Sequence, residues 1–507
     1  MKFNYDRSIM TAKKQKFYIT TSIAYTNAYP HIGFALESLQ ADVIARYHRN
    51  LGQDTFFLTG TDEHGSKIAK AAEKEGKEPK DFVDKISARF KDLKEVLNLS
   101  NDDFIRTTDE KRHWPSVKKI WQILEKNGDI YKKEYKGLYC VGCEAFITRK
   151  DLIDGKCAIH NKEPEVINEE NYFFKLSKYG AQIREAIKKE TMRVVPDTRA
   201  NEMLSFIDQG IEDISFSRPR KDLKWGFPVP GDDSQTIYVW ADALTNYISA
   251  IGYEKENALF KKLWPADMHC IGKDILRFHA LIWPGILLSA GLALPKTILV
   301  HGHIMSGGQK MSKSLGNVVD PFDLVSKYGA DSVRYYLLRE IPTVEDGDFT
   351  LQKFEDRYNA DLAGGIGNLV SRVLTMAEKN SKSQAERIVS PEIQKEIERV
   401  ADSYKNNILN FKLNESLKSI WELINFCDKY CEVQKPWENK DSSSLVIYSL
   451  LVAILNIADD LRCFLPGTSD KIFSQLGVKS LDKALPKFKI KKGQSLFQRV
   501  SSNFKSE

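Results

Sequence analysis

Two short stretches carry residue types that handle phosphate. Pro30-His31-Ile32-Gly33 places an imidazole at the start of a helical pattern that follows a strand-like run. A helix N-terminus presents free N–H groups and the positive end of the helix dipole, so an anion is held there. Gly33 would let a nucleotide approach the backbone. Much later, Lys310-Met311-Ser312-Lys313-Ser314 lies between Ser-Gly-Gly-Gln and Leu-Gly-Asn. Two lysines three apart, with small hydroxyls between them, suit a loop that clamps a triphosphate and offsets the charge of departing pyrophosphate. Alone, the first stretch is as well a surface histidine and the second a solvated basic loop. Together, each after a strand of one α/β pattern, they point to a nucleotide site. Phe34 stands one turn after His31, where a second polar group would be useful, and a phenyl ring donates nothing.

The third group is a metal set. Three of seven cysteines fall close together, as Cys140, Cys143 and Cys157, with His160 three residues beyond the last. A C-x₂-C pair and a C-x₂-H pair make two knuckles, and four such ligands suit tetrahedral zinc. With all four positions filled by protein, the zinc is expected to be structural. Clustered cysteines of this kind fit a reducing compartment better than a disulfide framework. Cys270, Cys427, Cys431 and Cys463 lie among apolar residues and are expected in the core.

These groups must be positioned by regular elements. Phe17 to Ile23 reads as a strand. Residues 32–51 carry apolar side chains at helical spacing and close at Gly52, and "DTFFLTG" is the next strand. This βαβ unit predicts a parallel sheet with its ligand at the carboxyl ends of the strands. Residues 127–225 break the alternation and read as an insertion that contains the cysteines. Strands resume with "DMHCIGKD" and "KTILVHGH", separated by a long helix from Ile275 to Gly291 interrupted at Pro284. After about Tyr358 only helical spacing remains, as in Leu417, Ile420, Leu423, Ile424 and Cys427, and predicts an all-α bundle with a lysine-rich tail.

Composition sets few limits. The chain has 507 residues, 28% of them charged and 42% hydrophobic, and a net charge of +6 from 75 cations against 69 anions. That permits a polyanionic partner without requiring one. No uninterrupted apolar run approaches the roughly 20 residues that span a bilayer. The first residues lack the apolar core of a signal peptide, and a cytoplasmic location is expected.

In order along the chain, "TSIAYTNAYPHIG", "FFLTGTDEHG", "YVWADALTNY", "IGKDILRFHA", "HGHIMSGGQKMSKSLGN", "DGDF" and "KPW" resemble the class I aminoacyl-tRNA synthetases, and among these the methionyl-tRNA synthetase family, from about Lys16 to Pro466. The resemblance implies a Rossmann-like catalytic domain in two parts, residues 1–126 and 226–342, around a connective insertion with its zinc knuckle at 127–225. A stem-contact junction at 343–358 and an anticodon-binding bundle at 359–507 would follow. It implies that ATP, accompanied by Mg²⁺, meets His31, Gly33, Gly272, Asp274, Ile304, Lys310, Ser312 and Lys313, with His31 and the two lysines acting on the transition state. Asp62 and the Ile23 carbonyl would anchor the methionine ammonium. Tyr25, Trp240, Ala243, Tyr247, Phe278 and His279 would line the side-chain slot, with Tyr247 and His279 donating weakly to sulfur. Asn368, Arg372 and Trp437 would read the CAU anticodon of tRNA(Met) by stacking and base-edge contacts.

Three rivals remain at this point: a class I synthetase for another amino acid, a small-molecule nucleotidyltransferase, and an inactive RNA-binding module. Leucine, isoleucine and valine enzymes carry a large editing insertion, for which the zinc knuckle leaves little room. Cysteine enzymes hold zinc in the substrate pocket, whereas this set is filled by protein. The basic helical part is unneeded by a small nucleotidyltransferase. The short tail after the bundle leads us to expect a monomer.

Overall fold

Buried, β-branched and aromatic residues such as Tyr18, Ile19, Thr20 and Thr21 make Lys16–Thr21 a strand covered on both faces. It is central to a seven-stranded sheet. The computed structural model describes residues 15–142, 145–147, 152–158, 161–311, 317–380, 384, 387–438, 440–481 and 486–501. Cys143, His160, Ser312 and Lys313 lie outside the described residues, and of Lys310 only the backbone is described. The strands run in the spatial order Arg193–Val195, Thr297–His301, Met268–Gly272, Lys16–Thr21 and Asp54–Asp62, the last also pairing with Ala24–Tyr25 and Asp103–Arg106. Every pairing is parallel. From Lys16–Thr21 the chain goes first to one neighbour, Asp54–Asp62, and later to the other, Met268–Gly272. Such a switch point opens a crevice at the carboxyl ends of the strands.

Residues 127–225 do more than form an insertion. Ile130–Cys140 and Glu165–Phe174 pair antiparallel from Ile130↔Phe174 to Tyr139↔Glu165, making a long arm. Further along, Arg193–Val195 rejoins the central sheet as an edge strand beside Thr297–His301. Three residues are too few for periodicity to reveal.

The expected helix from Ile275 to Gly291 is also different. Lys273–Ile275 is a 3₁₀ turn, Phe278–Ile282 a π-helical turn, and Trp283–Ser289 an α-helix with Pro284 in its first turn. Proline lacks an N–H, and the first turn is where that omission is harmless.

The C-terminal part is helical. Tyr358–Gly367 is a π-helical stretch that leads into Asn368–Lys379, followed by Pro391–Leu409, Leu413–Gln434, Lys440–Phe464 and Pro466–Leu476. Ser443–Phe464 is long and apolar enough to cross a membrane, yet its window is 83% buried inside the protein, as a core helix is. All four cysteines expected in the core are buried.

Bundle and sheet domain meet at Arg334, whose side chain is fully buried. Its guanidinium donates to Asp42 Oδ2 at 2.7 Å, to Leu97 O at 3.0 Å, to Asn98 O at 3.2 Å, to Phe464 O at 2.6 Å and to Cys463 O at 3.0 Å. Asp42 lies on the helix that His31 begins.

Candidate active site

The helix Ile32–Asn50 starts from His31, an N-cap in extended conformation. His31 Nδ1 accepts a hydrogen bond from Gly33 N at 3.1 Å. An accepting Nδ1 on a neutral ring puts the proton on Nε2, the edge turned away from the helix. Burial first, and the charge of nearby His303 second, lower the His31 pKa and favour that neutral form. Gly33 has a different purpose from the one its type suggests. A Cβ there would lie 2.8 Å from His31 Cε1 and 2.9 Å from Nδ1, so the glycine makes room for the folded-back ring.

The described flanks of the lysine stretch meet the helix start. Ile32 N donates to Val319 O at 3.1 Å, beyond the lysine loop, and on its near side Met311 Cε lies about 4.0 Å from the Gly33 Cβ position. Phe34 packs edge-on against Phe90, ring centroids 4.9 Å apart, and its ring forms part of the wall of the adjoining cavity.

That cavity is about 720 Å³ and opens at the crevice. Ile23, Tyr25, Asp62, Trp240, Ala243, Tyr247, Asp274, Phe278 and His279 all line it. Asp62 ends its strand, and its carbonyl accepts from both Thr26 N and Thr26 Oγ1 at 3.0 Å. The next two residues pin this strand end. Glu63 is held by Arg106 Nε at 2.6 Å and Nη2 at 2.8 Å. His64 Nδ1 meets Asp242 Oδ2 at 2.6 Å, and His113 Nε2 meets Asp242 Oδ1 at 3.0 Å. Burial alone would raise the Asp242 pKa, but the two imidazoles hold it down at about 2. Asp242 in turn fixes the short helix Val239–Leu244 that carries Trp240 and Ala243.

The aromatic slot is prebuilt. Trp240 and Phe278 stack with centroids 3.8 Å apart and planes 9° apart. His279 Nδ1 donates to Ile275 O at 3.0 Å, and Tyr247 Oη donates to His279 Nε2 at 2.7 Å. Burial pushes the His279 pKa down to about 4, so the ring is neutral. Both of its nitrogens and the Tyr247 proton are therefore engaged, Nδ1 with Ile275 O and Nε2 with Tyr247. The expectation that these two residues donate to sulfur is corrected: neither keeps a donor for it in this arrangement.

Of the residues expected to meet ATP, Gly272 ends the strand Met268–Gly272 and Asp274 lies in the turn that follows. Ile304 is buried in a short strand that pairs with Gly347–Phe349 and with Gln309–Lys310.

Three groups escape sequence reasoning. Arg218, in the cavity wall, donates to Ser215 Oγ at 2.8 Å and Ser217 O at 2.6 Å. His301 Nε2 pairs with Glu37 Oε2 at 2.8 Å while its Nδ1 donates to Gly302 O at 2.7 Å. Burial would lower the His301 pKa, but Glu37 outweighs it and the pKa is raised. His303 bonds Asp274 through Nε2. Arg218 lies in a run with no pattern, and although His301 and His303 open a quoted motif, their partners Glu37 and Asp274 are distant in sequence and only the fold brings them together.

Of the metal set, Cys140 and Cys157 share one small buried cluster with Ile147. In the bundle, the Arg372 guanidinium lies over the Trp437 ring, 5.0 Å from its centroid. Trp437 is 50% exposed, and Asn368 is exposed one turn before Arg372 on the same helix.

A family model described as "tRNA synthetases class I (M)" matches residues 17–151 and 147–374, and one described as "Anticodon-binding domain of tRNA ligase" matches residues 391–502. A methionine–tRNA ligase of Thermotoga maritima is 43% identical, over 91% of this chain and 75% of its own length. One of Rickettsia bellii is 42% identical, over 91% and 92%. The structure of Mycobacterium tuberculosis methionyl-tRNA synthetase in complex with methionyl-adenylate is similar at a TM-score of 0.88 and 34% identity, over 96% of this chain and all of that one. With a parallel sheet, a helix N-terminus met by Met311 and Val319, and an aromatic cavity at the switch point, this chain belongs to the class I methionyl-tRNA synthetases.

Proposed function

We propose that the chain joins methionine to tRNA(Met) in two steps: methionine and ATP give methionyl-adenylate and pyrophosphate, and the methionyl group then passes to the 3′ end of the tRNA. The observation that carries this is the meeting of the His31 helix start with both flanks of the lysine loop, beside a cavity with an acid at its rim and stacked aromatics in its wall.

The amino acid's carboxylate is already ionised at neutral pH, so attack needs no base. One of its oxygens bonds to the α-phosphorus while the bond to the bridging oxygen of pyrophosphate breaks. The work is positioning and charge stabilisation. His31 Nε2–H and the positive end of the helix dipole face the phosphates. Lys310, Ser312 and Lys313 close over them and follow the charge to the leaving group. Mg²⁺, when bound with ATP, shields its phosphate charge. Gly272, Asp274 and Ile304 receive the adenosine. Asp62 and the Ile23 carbonyl hold the ammonium. With the Tyr247 and His279 donors occupied, methionine is selected by shape and by sulfur against the edges of Trp240, Phe278, Tyr25 and Tyr247, above Ala243.

Cys140, Cys143, Cys157 and His160 would hold one zinc ion. Two observations fit: Cys140 and Cys157 lie buried in one cluster, and the chain turns tightly after Cys157, Asn161 N donating to Cys157 O at 2.8 Å and Cys157 N to Lys162 O at 2.9 Å. Such a metal would brace the arm. Asn368, Arg372 and Trp437 form the anticodon contact, with the stacked Arg372–Trp437 pair as support. We place this activity in the cytoplasm, carried out by a monomer.

Amino-acid-dependent ATP–pyrophosphate exchange tests the proposal. Methionine is expected to drive exchange, and leucine and cysteine are not. Exchange driven by another amino acid alone, or by none, overturns it.

A further inference from the structure

The nucleotide crevice contains an imidazole that the proposed mechanism leaves idle. His303 follows the strand Thr297–His301, whose last residue bonds Glu37 on the helix that His31 begins. Its backbone is fixed at both ends: His303 N donates to Asp346 Oδ1 at 2.9 Å, and His303 O accepts from Gly347 N at 2.9 Å. Asp346 is itself clamped by Lys273 Nζ at 2.7 and 2.6 Å, so this backbone is anchored to the strand end that carries Asp274. The ring is half-buried and donates from Nε2 to the Asp274 carboxylate. Its charge is felt at His31, whose pKa it helps to lower. His303 thus stands between the acid assigned to ribose and the imidazole assigned to phosphate.

The start of that helix offers one imidazole, His31. Residues three apart on a helix share a face, and the position three beyond His31 is Phe34, held edge-on by Phe90. We propose that His303 supplies the second imidazole of the nucleotide site: its Nε2–H rests on Asp274 in the free chain and is released to a phosphate oxygen when the ribose hydroxyls take up Asp274. This deepens the proposed function and rests on it. Asp274 then has two successive partners, and ATP binding exchanges one charge-assisted hydrogen bond for two.

The test is methionine-dependent ATP–pyrophosphate exchange by the full chain with His303→Phe, His303→Gln and the double variant His303→Phe/Phe34→His. His303→Phe keeps a ring and removes the donor. It is expected to lower kcat/KM for ATP about a hundredfold, the scale of one lost preorganised donor, while the KM for methionine stays within about twofold. His303→Gln keeps an N–H and should retain most of that activity. The double variant, with an imidazole returned from the helix side, should recover about tenfold. Calorimetric titration with a non-hydrolysable ATP analogue gives a second readout that does not depend on turnover. Unchanged ATP constants in His303→Phe overturn the assignment, as does a loss that falls equally on methionine or one that neither Gln nor Phe34→His relieves. Absence of exchange in the parent chain overturns the proposed function, and this assignment with it.

Discussion

His31 and Gly33 act as one unit, because the ring folds back into the space a side chain at Gly33 would occupy. Gly33→Ala should therefore lower the exchange rate about a hundredfold, approaching the two to three orders of magnitude expected for His31→Ala. Alanine favours helix over glycine by about 1 kcal/mol, so the same change should leave thermal stability equal or higher. Parallel kinetics and melting curves check this opposition. A buried pair gives a second test. His301 has a folded pKa raised above its unfolded value of about 6.5 by Glu37. Its stabilisation is full below about pH 6.5 and is lost as pH rises through the folded value. His301→Gln should cost about 3 kcal/mol at pH 6, the scale of breaking a buried pair, and less at pH 9. Denaturant titrations at both pH values measure the gap, which should narrow with rising pH. At this scale the sequence shows residue type well and partnership poorly. Tyr247 and His279 are legible as slot residues, yet their mutual hydrogen bond depends on a π-helical turn that no spacing rule reveals.

At the scale of elements, long periodic segments are legible and short ones are not. The Ile32–Asn50 helix and the bundle helices each offer several turns of apolar spacing, whereas Arg193–Val195 owes its place in the sheet to its neighbour Thr297–His301. Functional geometry concentrates in the short pieces. The turn Phe278–Ile282 brings Phe278 flat onto Trp240 and His279 onto Tyr247, and π-helical turns recur at functional sites for this kind of reorientation. Trp240→Ala removes one face of that stack. It should raise the KM for methionine about tenfold or more, from lost aromatic contact and burial, and leave the KM for ATP within about twofold. Exchange kinetics with each substrate varied in turn separate these constants, and equal effects on both would place Trp240 outside the methionine slot.

The whole molecule separates its two chemistries between a sheet crevice and a helical bundle. Trp437 lies in the bundle, exposed and capped by Arg372. Stacking on one base is worth about 1–3 kcal/mol, so Trp437→Ala should lower kcat/KM for tRNA about tenfold to a hundredfold in aminoacylation. Methionine-dependent exchange, which needs no tRNA, should stay within about twofold; a matching loss in exchange would mean that the bundle had misfolded. Arg334 bears on this division of labour. With acceptors on the nucleotide helix, on the loop at Leu97 and at the end of a bundle helix, it welds both halves into a single cooperative unit. Cutting away the bundle would remove the acceptors at Phe464 O and Cys463 O and open to water the face they cover, leaving Arg334 with Asp42 and the Leu97 and Asn98 carbonyls. Heat or a protease that opens the bundle therefore also loosens an anchor of the helix that His31 begins.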